Sequence, residues 1–171
     1  FRSVRLVAEL DATTFVFENV KGLTVGRHKA FLEELIEAFG AAGYNVRMAP
    51  QVLNAAAFGV PQSRERLILF GAKKGHTIPQ YPELQTKYPG MKEGKAGLPA
   101  GPTCGDALGD LPDAEEYPVL LDSDEVFVAK WKRPSTYAAE MRALTDDAWH
   151  NGYVRAWNPK ALTSSIRTAH S

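Results

Sequence analysis

The chain has 171 residues, of which 44% are hydrophobic and 23% are charged, a composition typical of a globular protein of one ordinary domain. Its 20 basic and 20 acidic residues cancel, which excludes a strong overall field that would attract a polyanion, so nucleic-acid contact would need a local cluster. The single cysteine, Cys104, excludes an internal disulfide framework and a multi-cysteine metal site, and it favours a reducing compartment.

The N-terminal segment predicts a helix followed by a strand. Apolar residues recur at helical spacing from Phe1 to Leu10, and because the first residue already lies in this pattern we expect the chain to be a piece of a longer protein. Residues 14–17 form a continuous β-branched and aromatic run, the pattern of an inner strand of a parallel sheet that is covered on both faces. Glu18 and Asn19 would follow at the carboxyl end of that strand, where open α/β sheets bind ligands.

A helix and two further strands are predicted next. The apolar residues of segment 28–42 form one helical stripe, and Gly43 supplies the stop. A strand around residues 44–53 completes a right-handed strand–helix–strand crossover. The loop 54–63 is too short to contain a crossover helix, so the next strand, 66–71, should pair antiparallel with the strand before it. The helical stripe comprises Phe31, Leu32, Leu35, Ile36 and Phe39.

The second half of the chain has a different character. Residues 76–102 contain many prolines and glycines, which prevent any long regular element, and we interpret them as a connecting region. Residues 103–111 predict a short helix that Thr103 can cap. The aromatic-rich segment 117–171 shows no repeat. No run of about 18 apolar residues occurs in the chain, so we expect no membrane-spanning helix.

Two polar clusters carry the candidate chemistry. Glu18, at the mouth of the predicted sheet, could donate or share a proton, or it could simply bind a nearby backbone amide. In segment 62–66, period-two alternation would send Arg64 and Arg66 to one face, where two guanidinium groups suit a phosphate, a carboxylate or a base carbonyl. The arginines could instead merely pair with surface carboxylates such as Glu18.

The order of the two clusters resembles that in the C5-cytosine DNA methyltransferases. In that family a Glu-Asn-Val follows the strand before this helix, as Glu18-Asn19-Val20 does here, and a Val-Pro-Gln-x-Arg-x-Arg opens the last hairpin strand, as residues 60–66 do. The resemblance is strong over residues 1–75 and looser beyond them. Further similar segments are Lys21-Gly22-Leu23, Leu53-Asn54-Ala55-Ala56, residues 105–112 and residues 162–168.

The resemblance implies roles for individual residues. Glu18 would contact N3 and the exocyclic amine of a flipped-out cytosine and assist as a general acid when a thiolate adds at C6, while Arg66 would bind the base O2. Arg64 and Gln62 would support the pocket and its phosphate, and Asn19 would brace the neighbouring catalytic loop. The implied catalytic residues are therefore Glu18, Arg64 and Arg66, and the implied substrate-binding residues are Asn19, Gln62 and Ser63.

The resemblance also implies a fold and partners. The fold would be α/β, the second half of a Rossmann-like methyltransferase sheet ending in an antiparallel hairpin. Residues 1–75 would be the C-terminal part of the catalytic core, and residues 76–171 a connecting segment and the start of the target-recognition region. The substrate would be double-stranded DNA and the methyl donor S-adenosylmethionine, in the cytoplasm or, in a eukaryote, the nucleus. We expect no cofactor-binding residue in the chain and no metal site, since its four histidines lack a mutual metal spacing.

Some features depart from the family pattern. The nucleophilic cysteine of a Pro-Cys pair and the glycine-rich cofactor loop would both lie upstream of Phe1, and Cys104 cannot replace that nucleophile. Ala57 stands where the family commonly has an acidic residue. Two alternatives stay open. One is the tRNA-directed branch of the superfamily, against which Gln62 argues because that branch typically has Asn there, and the other is a catalytically inactive DNA-binding or regulatory module.

Overall fold

The chain divides into two compact units, Phe1–Gly101 and Pro102–Ser171. The computed structural model describes residues 1–26, 28–91, 97–128, 130–142, 144–145, 158 and 160–163. The described part of the connecting region forms no helix or strand, yet it packs with the first unit, because the backbone amides of Gln85 and Thr86 donate to the Ala57 carbonyl at 2.8 and 3.1 Å. The boundary between the two compact units thus falls later in the chain than residue 75. The boundary predicted after residue 75 separates two functional regions, and it stays a prediction.

The first unit is built on one antiparallel sheet. The central strand, β4, pairs with β1 on one side and with β2 and β3 on the other. Two helices, α1 and α2, share the core of this unit with the sheet. The α/β class and the antiparallel pairing of residues 46–53 with 66–71 are as predicted. The elements are α1 (Arg2–Glu9), β1 (Thr14–Val20), α2 (His28–Ala41), β2 (Tyr44–Val46), β3 (Gln51–Asn54) and β4 (Glu65–Lys73).

Strand β1 differs from its prediction in length, in pairing and in burial. It extends to Val20, so Glu18 and Asn19 lie within the strand and not beyond its end. It is not an inner parallel strand: the crossover through α2 leaves one place in the sheet between β1 and β2, and β4 fills that place antiparallel to both. Only one face of β1 is covered within the described residues, and Val16 on the other face is 62% exposed. An apolar run alone does not distinguish these two environments.

The predicted strand around residues 44–53 is two strands. Strand β2 ends at Val46 and β3 begins at Gln51, while both pair with β4. Pro50 has no N–H to donate to the ladder, which is a physical reason for the interruption. The Arg47 guanidinium at the break donates to the carbonyls of Ile78 and Pro79 at 2.7 and 2.6 Å, which fastens the connecting region to this edge of the sheet.

The core of the first unit lies between α2 and one face of the sheet. Leu32, Leu35 and Phe39 of α2 are buried, as the helical stripe predicted, and the Phe39 ring stacks on Phe15 of β1 with a centroid distance of 4.2 Å. Phe31 belongs to the same predicted stripe, but its side chain is exposed and its ring contacts that of Phe1.

A close approach to Gly71 fixes β1 against β4. The ring of Phe15 lies directly over this glycine, its register partner across the ladder, and a Cβ placed on Gly71 would overlap the ring. A residue with any side chain at this position would therefore displace Phe15 from the core.

The second unit contains short elements around a small apolar core. Its elements are α3 (Cys104–Leu108), α4 (Thr136–Met141) and the antiparallel pair β5 (Glu125–Phe127) and β6 (Ala161–Thr163). Leu120, Val128 and Leu162 form the buried cluster. Segment 105–112 supplies a buried carboxylate: Asp110 pairs through both of its oxygens with the Arg142 guanidinium. This ion pair ties the end of α3 to the end of α4.

Helix α3 begins as the sequence predicts, although it ends at Leu108 and not at residue 111. Thr103 caps it: the Thr103 hydroxyl accepts from the Asp106 amide at 3.1 Å, and the Asp106 carboxylate accepts from the Thr103 amide at 2.7 Å. The Thr103 hydroxyl also donates to the Asp106 carboxylate at 2.7 Å, and this bond, together with the one from the Thr103 amide, holds the pKa of the Asp106 carboxyl below its ordinary value. Within the described part of the chain, no helix is long and apolar enough to cross a membrane.

Candidate functional site

The register between β1 and β4 places Glu18 and Arg66 on the same face of the sheet. Val20 lies directly opposite Arg66, and Glu18 lies opposite Ile68, so the two charged residues are diagonal neighbours across the ladder. Their side chains form an ion pair in which the Arg66 Nε is 2.8 Å from the Glu18 Oε1. The pairing of an arginine of the second cluster with Glu18, which the sequence left open, is present for Arg66.

In this pair the carboxylate is accessible to solvent, whereas the guanidinium is held in place by its bonds. The Glu18 side chain is 52% exposed and the Arg66 side chain is 25% exposed. A second bond positions Arg66, whose guanidinium also donates to the Glu65 carbonyl at 2.8 Å. The site therefore presents a carboxylate that can accept or share a proton beside a cation whose orientation is set from two sides.

Asn19 lies on the opposite face of the sheet from Glu18. Successive residues of a strand point to opposite faces, and Asn19 pairs with the buried Leu67 of the core face. Its side-chain oxygen accepts from the Val20 amide at 2.8 Å. Within the described residues the structure thus brings Glu18 and Arg66 together and places Asn19 elsewhere.

The residues 62–64 lie in the loop that leads into β4. Gln62, Ser63 and Arg64 are all exposed, and the strand begins at Glu65, one residue earlier than predicted. The amide of Gln62 donates to the Val60 carbonyl at 2.8 Å, which makes a tight turn around Pro61. Arg64 therefore precedes the ladder and is positioned by its backbone, while Arg66 is positioned by the strand.

A second ion pair lies on the other face of β4. Lys21, just after β1, is 2.9 Å from the Glu65 carboxylate, and both side chains are about as exposed as Glu18, at 55% and 43%. Because Glu65 and Arg66 are adjacent in the strand, this pair points away from the Glu18 carboxylate. It is an ordinary surface salt bridge and offers a matched comparison for the pair at the site.

The sequence motifs assign no role to Asn54, which lies behind the loop. Asn54 is only 6% exposed and its side chain bonds to residues at both ends of the segment 56–64. The signal was present in the sequence, since an Asn directly before a short turn is a common cap. Its bond to Arg64, however, depends on the path by which the loop returns to the sheet at β4.

The connection between β1 and α2 does not form a cradle for a nucleotide-like cofactor. A Cβ added to Gly22 would meet only a Val20 methyl group at 4.0 Å, and a Cβ added to Gly26 would have open space. Glycine-rich cofactor loops need glycine because the ligand or a helix approaches the backbone closely. The described residues of this connection therefore do not fit S-adenosylmethionine, and the position of the cofactor loop stays a prediction.

Comparisons with known proteins identify a family. The family model described as C-5 cytosine-specific DNA methylase matches residues 1–166. The Type II methyltransferase M.XorII of Xanthomonas oryzae pv. oryzae is 51% identical over 169 residues, which are 98% of this chain and 36% of that protein. The Type II methyltransferase M.SacI of Streptomyces achromogenes is 36% identical over 120 residues, which are 61% of this chain and 30% of that protein.

A solved structure gives a corresponding likeness in fold. A protein from E. coli described as a prophage-encoded DNA modification methyltransferase superimposes with a TM-score of 0.53 and 21% sequence identity, over 81% of this chain and 36% of that one. The chain thus spans about a third of the length of each of these three proteins.

Proposed function

The chain belongs to the C-5 cytosine-specific DNA methylase family, and from this premise we propose that it forms the base-binding part of a DNA (cytosine-5-)methyltransferase. The substrate is a cytosine of double-stranded DNA, which must leave the helical stack because C6 cannot be attacked within it. The methyl donor is S-adenosylmethionine. The nucleophilic cysteine and the cofactor loop belong to parts of the enzyme outside this chain.

The observation that carries this proposal is the pairing of Glu18 with Arg66 on one sheet face. In cytosine, N3 lies between the carbonyl O2 and the exocyclic amine, so a residue that binds N3 must adjoin a residue that binds O2. The 2.8 Å between the Arg66 Nε and the Glu18 Oε1 brings a carboxylate and a guanidinium within the width of one such ring edge. An isolated surface ion pair would have the same geometry, and the family match is what favours a base-binding role.

The two side chains have complementary tasks. Addition of a nucleophile at C6 places negative charge on the ring, and the Glu18 carboxyl relieves it by general-acid assistance at N3 while it accepts a bond from the exocyclic amine. Arg66 donates to O2, where part of the developing charge resides. Its bond to the Glu65 carbonyl fixes the guanidinium before the base arrives, so less ordering is required on binding.

The remaining site residues act around this pair. Arg64, Gln62 and Ser63, exposed in the loop before β4, support the pocket and bind the phosphate that flanks the flipped nucleotide. Asn19 braces the neighbouring catalytic loop from the other face of the strand. Residues from about 76 onward lead into the region that reads base edges.

Methyl transfer by the full-length protein that contains this chain tests the proposal. The purified protein is incubated with labelled S-adenosylmethionine and a long DNA made by PCR, which carries no methylation, and the DNA is digested to nucleosides. We expect the label in 5-methyl-2′-deoxycytidine. Unmethylated transfer RNA serves as the parallel substrate.

The outcomes distinguish three functions. Label in the transfer RNA alone would assign the protein to the tRNA-directed branch, against the indication from Gln62. Binding of DNA without transfer of label, together with the lack of an upstream Pro-Cys pair in the full-length sequence, would identify an inactive binding module. Either result refutes the proposed activity.

A further inference from the structure

We propose that Asn54 is a positioning residue for the base-binding site, which holds the loop 55–64 in the conformation that presents Gln62, Ser63 and Arg64 beside Arg66. This inference rests on the proposed function, since the loop matters for activity only if these residues bind the flipped nucleotide. The hydrogen bonds of the Asn54 side chain go to Ala56, Ser63 and Arg64 of the loop and not to the Glu18–Arg66 pair, so Asn54 acts through the loop.

The side chain of Asn54 closes the loop at its base. Its Oδ1 accepts from the amide of Ala56 at 3.0 Å and from the amide of Arg64 at 3.1 Å, and its Nδ2 donates to the Ser63 hydroxyl at 3.1 Å. One carboxamide therefore joins the first turn of the loop to the two residues that precede β4. The Ala55 amide adds a backbone bond to the Arg64 carbonyl at 3.0 Å.

Burial makes these bonds consequential. With 6% of Asn54 exposed, water has little access to its carboxamide. Removing the side chain takes a hydrogen-bond partner from the amides of Ala56 and Arg64 and from the Ser63 hydroxyl at once. The least costly response is movement of the loop toward solvent, which displaces Arg64 and Ser63 while β4 stays in place.

The connecting region holds the same loop from outside. The Thr86 hydroxyl accepts from the Gly59 amide at 3.1 Å and donates to the Ala56 carbonyl at 2.7 Å, so one hydroxyl spans the turn of residues 55–59. Gly59 has a φ of 78°, a left-handed conformation that suits glycine at the end of this turn. Thr86 therefore provides a second route to the same perturbation, through a residue that is less buried than Asn54.

The test uses two pairs of variants in the full-length protein. Asn54→Ala and Thr86→Val remove the bonds, whereas Asn54→Asp and Thr86→Ser retain an oxygen that can accept from the same amides. Tyr44→Phe is the matched control, because it removes one bond of 3.1 Å from a buried side chain to the Val7 carbonyl, at β2 and away from the loop. Each variant is measured for thermal unfolding, for DNA binding and for single-turnover methyl transfer to the PCR-made DNA.

We expect Asn54→Ala to lower the single-turnover rate about 100-fold, the size of loss that misplacing a group by about 1 Å can cause. Asn54→Asp should stay within about threefold of the original rate, because Asp and Asn cap equally well. Thr86→Val should fall between them and Thr86→Ser should recover. Tyr44→Phe should lose thermal stability without losing rate.

The possible failures are distinguishable. If the unsubstituted protein transfers no methyl group, the proposed function fails. If that protein is active and Asn54→Ala retains its rate, or if Tyr44→Phe loses as much rate as Asn54→Ala, the positioning role is refuted. Should Asn54→Ala not fold, the Thr86 pair decides: equal rates for Thr86→Val and Thr86→Ser overturn the inference, and a selective loss in Thr86→Val supports it.

Discussion

Replacing Glu18 with glutamine separates a catalytic carboxyl from a surface salt bridge. Glutamine keeps the shape of the side chain and its position opposite Ile68 on β1, but it removes the charge and the proton that the carboxyl can donate. In the full-length enzyme we expect the rate of methyl transfer to fall strongly and the affinity for DNA to change little, because the proton matters chiefly in the transition state.

The structure sets the magnitudes. The Glu18 side chain is 52% exposed, and an ion pair this accessible stabilises a fold by at most about 1 kcal/mol, roughly a fivefold change in the folding equilibrium. General-acid catalysis by a positioned group contributes about 100- to 10,000-fold in rate, equivalent to about 2.7–5.4 kcal/mol. The two interpretations of Glu18 therefore differ by well over tenfold in the expected loss of rate.

The assay is a single-turnover measurement with unmethylated and hemimethylated duplexes, accompanied by DNA titration. Glu65→Gln is the matched control: it removes a carboxylate that pairs with Lys21 at 2.9 Å with similar exposure, but on the opposite face of β4. Arg66→Ala is measured in parallel and should reduce both affinity and rate, since Arg66 would bind the base in the ground state and in the transition state.

An equal effect of Glu18→Gln and Glu65→Gln on the rate would refute the reasoning. Both changes remove one exposed ion pair, so equality would mean that the Glu18 carboxyl contributes to the fold and to nothing else. A loss of DNA affinity with an unchanged chemical step would likewise assign Glu18 to binding and not to proton transfer.

Three further predictions concern the fold and the cofactor. Gly71→Ala should lower the free energy of unfolding by about 1–3 kcal/mol, because the added methyl overlaps the buried Phe15 ring. Gly40→Ala in α2, where the added Cβ meets open space, should instead raise the free energy of unfolding by about 0.5–1 kcal/mol. Equal effects of the two substitutions in chemical denaturation would contradict this prediction. Thr103→Ala should raise the pKa of Asp106 toward its ordinary value, as followed by carboxyl NMR titration, since Thr103 supplies the bonds that lower it. Because the pKa of Asp106 is lowered by folding, the stability that its carboxylate contributes is present above the ordinary pKa of a carboxyl and is lost as the pH falls through the lowered pKa. An unchanged titration of Asp106 in Thr103→Ala would refute this prediction. The chain of 171 residues alone should not bind S-adenosylmethionine or methylate DNA, and a stoichiometric micromolar site in calorimetric titration would overturn that expectation.

Local patterns in the sequence determined the elements and the residues of interest. The apolar stripe of α2, the continuous run of β4 and the Thr103 cap each depend on neighbours within a few residues, so period and propensity are enough to predict them. The two polar motifs likewise pointed to Glu18 and Arg66, because their residue types and order resemble one family and suit one chemistry.

Only the tertiary structure decided how those pieces meet. The place of β4 between β1 and β2, the exposed second face of β1 and the closure of the loop by Asn54 all depend on pairings between residues far apart in the chain. A short apolar run has the same pattern whether one or two of its faces are covered. The break between β2 and β3, after which β3 begins at Gln51, likewise leaves no mark in the alternation of apolar and polar residues. The sequence therefore indicated which charged residues are of interest, while the register of β1 and β4 determined which of them share a face of the sheet.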